Sequence, residues 1–213
     1  MKALSRKMKA MMIFVASMLL AGACVSDKQS KNGLFEGSGD VGNPKLSGSF
    51  EYNPSSKVYT LTGAGTNMWS TSDEFFMAWK KINGDFSISA KVAFEGEGVN
   101  AHRKIGVIVR ESLTGDSKYA DIAVHGDGLT SLQYREVTGG ETKEVVAGDQ
   151  GFAYLTLERI GNRIIMKVAN DGFSDVSAGE IELDLSADCY VGIFICSHEE
   201  DVVERGCFGE VRL

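Results

Sequence analysis

The chain has 213 residues, with 22 Lys+Arg against 29 Asp+Glu and a formal net charge of −7. Hydrophobic residues at 43% and charged residues at 24% exclude an unstructured chain, and 25 Gly with no G-X-Y period exclude a collagen-like one and point to many tight turns. The acidic balance argues against a nucleic-acid partner, because phosphate binding needs a basic surface.

Residues 1–23 read as an export signal. Lys2, Arg6, Lys7 and Lys9 form a basic start, and 11–21 is an apolar stretch shorter than the ~20 residues a membrane span needs. Leu20-Ala21-Gly22-Ala23-Cys24 looks like a bacterial lipobox, in which Cys24 is acylated and becomes the new N-terminus. Cleavage there leaves 18 Lys+Arg against 29 Asp+Glu, a net charge of −11. Attachment to an anionic bilayer would then rest on the N-terminal lipid alone. Residues 24–33 are polar and read as a tether, and the sequence predicts a membrane-anchored protein on the periplasmic or cell-surface side.

From residue 34 onward the pattern is that of strands. At 85–95, Phe86, Ile88, Ala90, Val92 and Phe94 alternate with Ser87, Ser89, Lys91 and Ala93, a period of two. Ile105, Val107 and Val109 repeat it opposite Gly106, Ile108 and Arg110. Residues 155–168 read as a hairpin turning at Ile160-Gly161-Asn162-Arg163, and Asn170-Asp171-Gly172 marks another turn. Further strands are predicted at 57–62, 74–80, 118–125, 129–137, 179–185, 190–197 and 207–213, with 197–206 as a loop. No window after the signal shows a capped helical period. The expected fold is all-β, one antiparallel β-sandwich or jelly roll over 34–213.

Several segments, in order, resemble a bacterial family of concanavalin-A-like jelly-roll domains of the lectin and glucanase superfamily, found alone or appended to secreted glycoside hydrolases. They run from Asp40-Val41-Gly42 and Thr62-Gly63-Ala64-Gly65, through Trp69 with Asp73-Glu74-Phe75, to Gly106-Val107-Ile108-Val109-Arg110-Glu111. Gln133-Tyr134-Arg135, Leu157-Glu158-Arg159 and Tyr190-Val191-Gly192 continue the match. The resemblance implies two curved sheets and a concave face that accommodates glycans, and it brings no catalytic mechanism.

Candidate chemistry is sparse. Glu199, Asp201 and Glu204 have the i, i+2, i+5 spacing by which glycan-cleaving relatives set two carboxyls ~5–5.5 Å apart. On a solvated loop they would lack the raised pKa a general acid needs. Cys196, His198 and Cys207 offer soft metal ligands without paired spacing, and His102 and His125 stand apart from them. Three cysteines remain after Cys24, and Cys196 and Cys207, flanking one loop, are the pair placed to bridge. Asp40 and Glu210 are the candidates for a structural calcium, and no other cofactor is implied. Arg110, Tyr134, Trp69, Asp73 and Arg135 form the candidate ligand set, combining an aromatic face with planar donors and a carboxylate, as sugars require. The same residues also fit an internal ion pair between Arg110 and Asp73 or Glu74, and Trp79 fits the core.

The expected function is therefore a non-catalytic, glycan-binding envelope lipoprotein. A structural lipoprotein binding another envelope protein, and a glycoside hydrolase using Glu199 and Glu204, remain open beside it.

Overall fold

Alternating apolar side chains bury one face of each strand, and two such sheets close on each other. A computed structural model describes residues 31–213, and the expected signal and Cys24 lie outside the described residues. The first sheet contains β1 (Gly37–Val41), β6 (Phe75–Asn83), β8 (Lys104–Arg110), β9 (Tyr119–His125), β10 (Thr130–Arg135), β11 (Thr142–Gly148) and β15 (Asp188–Cys196). Their spatial order is β1-β6-β15-β8-β9-β10-β11. The second sheet contains β2 (Ser49–Asn53), β3 (Val58–Gly65), β7 (Phe86–Glu95), β12 (Tyr154–Ile160), β13 (Arg163–Ala169), β14 (Gly179–Glu182) and β16 (Glu199–Arg212). Its order is β14-β13-β12-β7-β16-β3-β2. A short hairpin, β4 (Met68–Trp69) with β5 (Ser72–Asp73), forms a separate ribbon. Pairing is antiparallel throughout, and the chain repeatedly passes from one sheet to the other, as at β6 to β7 to β8 and at β14 to β15 to β16. This is a concanavalin-A-like jelly-roll sandwich.

The main core lies between the sheets. Ile105, Val107 and Val109 of β8 and Ile88, Ala90 and Val92 of β7 all belong to it, which confirms both alternations read from the sequence. Each large aliphatic side chain buried there contributes about 1.5–3 kcal/mol. A second apolar cluster lies on the outer face of the first sheet and includes Met68, Phe75, Met77, Ile108, Tyr119 and Phe194. As a result β8 and β9 are buried on both faces. The β4–β5 hairpin forms part of the cover, with Met68 in the cluster and Asp73 N–H donating to Gly115 O at 2.9 Å.

Two sequence expectations need correction. Residues 199–206 are strand rather than loop, because β16 begins at Glu199 and absorbs a register shift before Glu204. β1, β2 and β11 carried no strand signal. β1 has two Gly in five residues, and β2 and β11 are edge strands, β2 with polar exposed positions and β11 with Lys143 and Glu144 exposed beside Val146.

Candidate functional site

The outer face of the first sheet carries the unusual chemistry, and strand register fixes which residues meet there. Tyr190, Arg110, Tyr119, Arg135 and Thr142 stand in one row across β15, β8, β9, β10 and β11. Gly192, Ile108, Asp121, Gln133 and Glu144 form the next row. Cys196, Lys104 and His125 align toward the opposite end.

The first row holds Arg110 and Arg135 of the expected ligand set, Asp73 reaches it from β5, and it is closed. Asp73 Oδ2 accepts from Arg110 Nη1 at 2.7 Å and Arg135 Nη1 at 2.8 Å, while Oδ1 accepts from Arg135 Nη2 at 2.8 Å. Further guanidinium N–H groups donate to backbone carbonyls, from Arg110 to Thr114 O at 2.7 Å and from Arg135 to Gly140 O at 2.8 Å and Ser70 O at 3.0 Å, and Arg135 Nη2 also reaches Thr142 Oγ1 at 3.2 Å. The Tyr119 ring centroid lies 5.1 Å from the Arg110 guanidinium carbon and 5.0 Å from that of Arg135. Arg110, Arg135 and Asp73 have no exposed surface, so the expectation that they contact a ligand is corrected to an internal ion cluster. The cluster pins the hairpin and the 112–117 segment to the sheet. Gly106 makes no room for a ligand either, since a Cβ there would lie 1.8 Å from Ile122 O. Tyr134 is corrected as well, because alternation turns it away from Arg135 and its ring packs against the main core.

Trp69, the remaining member of that set, lies on β4 at a different place. It is half-buried and lines a cavity of about 240 Å³ with Asn67, His102, Lys104, His125, Leu129, Gln133, Glu144 and His198. Lys104 is 2% exposed, and its Nζ donates to Asn67 Oδ1 at 2.8 Å. His125 Nε2 lies 3.2 Å from Gln133 Nε2. The His102 ring sits 6.0 Å from His125 and 5.6 Å from His198, centroid to centroid. Burial, reinforced by the Lys104 charge, pulls His125 down to about 3, and the same two causes lower His198. Burial also lowers the Lys104 pKa and lifts Asp121 well above the usual carboxylate range. Five buried polar atoms on β9 and β10 have no hydrogen-bond partner: both Asp121 oxygens, His125 Nδ1, Ser131 Oγ and Gln133 Oε1. Orphaned groups of this kind ordinarily cost about 1–3 kcal/mol each, so their concentration on one patch calls for an explanation.

The histidines were visible in the sequence as isolated residues. Only strand pairing joins them: His125 and Cys196 flank Lys104 in register, and His102 and His198 lie two residues beyond Lys104 and Cys196.

The other sequence candidates do not assemble. Glu204 is 4% exposed and accepts from Arg103 Nη1 at 2.6 Å, Glu199 accepts from Asn100 Nδ2 at 2.8 Å, and Asp201 pairs with exposed Lys45 at 2.5 Å. Cys196 lies on the outer face of the first sheet, whereas Cys207 lies in the second sheet and donates to Glu95 Oε1 at 2.7 Å. The expected Cys196–Cys207 bridge is therefore corrected to two free thiols on different sheets, and the Cys196–His198–Cys207 ligand set falls with it. Exposed Asp40 accepts from Gly48 N at 3.0 Å, and Glu210 is an exposed residue at φ 52° on β16. Neither belongs to a group of three His, Cys, Asp or Glu able to hold a metal ion among the described residues.

No protein-family model and no curated protein sequence matches the chain. Among solved structures, it is similar to a functionally unknown protein from Saccharomyces cerevisiae, at 17% identity and a TM-score of 0.58, over 82% of this chain and 94% of that one. It is also similar to the GH43 protein BlXynB from Bacillus licheniformis, at 13% identity and a TM-score of 0.51, over 80% of this chain and 37% of that one. These likenesses establish a shared fold, and function has to be argued from the site.

Proposed function

We propose that the protein is a non-catalytic, carbohydrate-binding lipoprotein of a bacterial envelope, held to the membrane by Cys24, whose sugar site is the Trp69 cavity. The observation that carries this reading is the meeting of a half-buried indole with Gln133 and His125, whose Oε1 and Nδ1 atoms are buried without partners. A sugar ring has an apolar face for the indole and hydroxyls that both donate and accept, which is the complement these atoms lack. At about 240 Å³ the cavity falls below the ~300–1,000 Å³ of drug-sized ligand sites and suits one sugar ring rather than a bound polymer. Glu199 and Glu204 take no part in it, being committed to Asn100 and Arg103.

A glycan array probed with the detergent-solubilised full chain tests this, beside Trp69→Ala and Gln133→Ala. Saturable binding to one glycan class is expected, lost in both variants while they still melt cooperatively. Binding to no glycan would overturn the reading and favour a protein partner.

A further inference from the structure

One of the buried groups lining the cavity is a cation, Lys104. Lys104 Nζ carries three N–H donors and spends one on Asn67. Among the described residues it makes no ion pair, although each of the other buried cations, Arg103, Arg110, Arg135 and Arg159, has a carboxylate or several carbonyls. A buried charge normally survives only when paired and fully hydrogen-bonded.

Its surroundings supply no counter-ion at contact distance. Asp121 of β9 is fully buried, with neither oxygen bonded to Lys104 or to any other donor, and its burial favours the neutral acid. Glu144 of β11 is exposed at the rim. The rest of the wall is Asn67, Trp69, Leu129, Gln133 and three imidazoles. Because Gln133 Nε2 can only donate to His125 Nε2, the His125 proton sits on Nδ1, adding another unspent donor to the one on Lys104. The β8 and β9 side of the wall therefore offers a cation and an N–H group, whereas the acceptors, Gln133 Oε1 and Glu144, lie on β10 and β11.

We propose that this cavity takes a sugar bearing a carboxylate, a uronic acid residue, with the carboxylate on Lys104 and the ring against Trp69. This rests on the glycan reading above and narrows it to an acidic sugar. A single buried ammonium matches the single charge of a carboxylate, and the ring hydroxyls are left to donate to Gln133 and Glu144. The cost of burying Lys104 unpaired is then a stability sacrificed for binding.

The test titrates the full chain in detergent with glucuronate, galacturonate, their neutral methyl esters, glucose and galactose. Binding is read by calorimetry and by the fluorescence of Trp69. Uronates are expected to bind at least roughly tenfold more tightly than the matched esters and neutral sugars, as for a charge-assisted contact. Lys104→Met should remove that preference while the melting temperature holds or rises, because the variant replaces an unpaired buried charge by an isosteric apolar chain. The ester comparison uses the unaltered protein and so stands even where the variant fails to fold. Equal binding of uronates, esters and neutral sugars overturns this inference and leaves the glycan reading intact. Binding of none of them, together with a blank array, removes both.

Discussion

Gln133 and His125 meet through their Nε2 atoms at 3.2 Å, across the β9–β10 ladder. Only the amide can donate in that contact, so the imidazole is neutral and accepts with Nε2. Burial and the neighbouring Lys104 hold it in that state down to about pH 3.

A pH signature follows from His125 and Asp121 together. The unfolded chain protonates His125 near 6.5 and the folded chain only near 3, so stability from this group is lost as pH falls through that window. Asp121 acts in the opposite sense: its folded pKa is raised by burial, so the unfolded chain releases the proton first, above 3.8, and stability is lost as pH rises. Below pH 6.5, while the folded protein keeps Asp121 protonated, the two oppose each other, since folding moves one proton from the histidine to the carboxyl. Relative to the unaltered protein, Asp121→Asn should make stability fall on acidification by up to about 1.4 kcal/mol per pH unit, and His125→Asn should give the reverse slope. Urea unfolding at pH 4.5, 5.5 and 6.5 measures this, and three parallel slopes would sink the pairing.

Asp73 is the sole carboxylate among the described residues serving both Arg110 and Arg135 in their buried row. Asp73→Ala leaves two buried guanidiniums uncompensated and should cost about 3–5 kcal/mol. Arg110→Met keeps the two-point Asp73–Arg135 contact and should cost clearly less. Urea midpoints of the two variants decide it, and an Asp73→Ala protein as stable as Arg110→Met would contradict the cluster's structural role.

Much of the fold was legible because period-two alternation is local. Ile105, Val107 and Val109 announced an inward face, and Gly161-Asn162 announced a turn between β12 and β13. What alternation could not show is that the opposite face of β8 is also buried. That depends on the hairpin at Met68–Asp73 folding over residues more than thirty positions away. Arg110 and Asp73 therefore read equally well as ligand contacts or as partners of each other. Lys104 carried no signal at all, because a lysine at a strand start is ordinary until register places it beside His125 and the fold places it in one cavity with Trp69.

Glu204 supplies a clean separation between structure and chemistry. Its pairing with Arg103 is buried on both sides, and the guanidinium also lies 4.1 Å from the Phe94 ring centroid. Glu204→Gln should lower stability by about 3 kcal/mol while leaving glycan binding in place. A variant that stays stable and loses a glycan-cleaving activity would restore the carboxylate to a catalytic role.

The three thiols of the sandwich should behave as independent groups. Cys189 and Cys196 are buried, the latter donating to Glu74 O at 3.3 Å with its pKa pushed up to about 11 by burial, whereas Cys207 is half-buried at the second sheet's outer face. Burial, and then the hydrogen bond to the Glu95 carboxylate, raises the Cys207 pKa, so its thiolate and its labelling should grow only at alkaline pH. Iodoacetamide followed by peptide mapping should mark Cys207 first in the folded protein, with Cys189 and Cys196 marked only on unfolding. Dithiothreitol should leave the melting temperature unchanged, because no loop in the sandwich is closed by a bridge. A crosslinked peptide joining Cys196 to Cys207 would require the two sheets to be placed differently, since these side chains lie in different sheets and each already has its own acceptor.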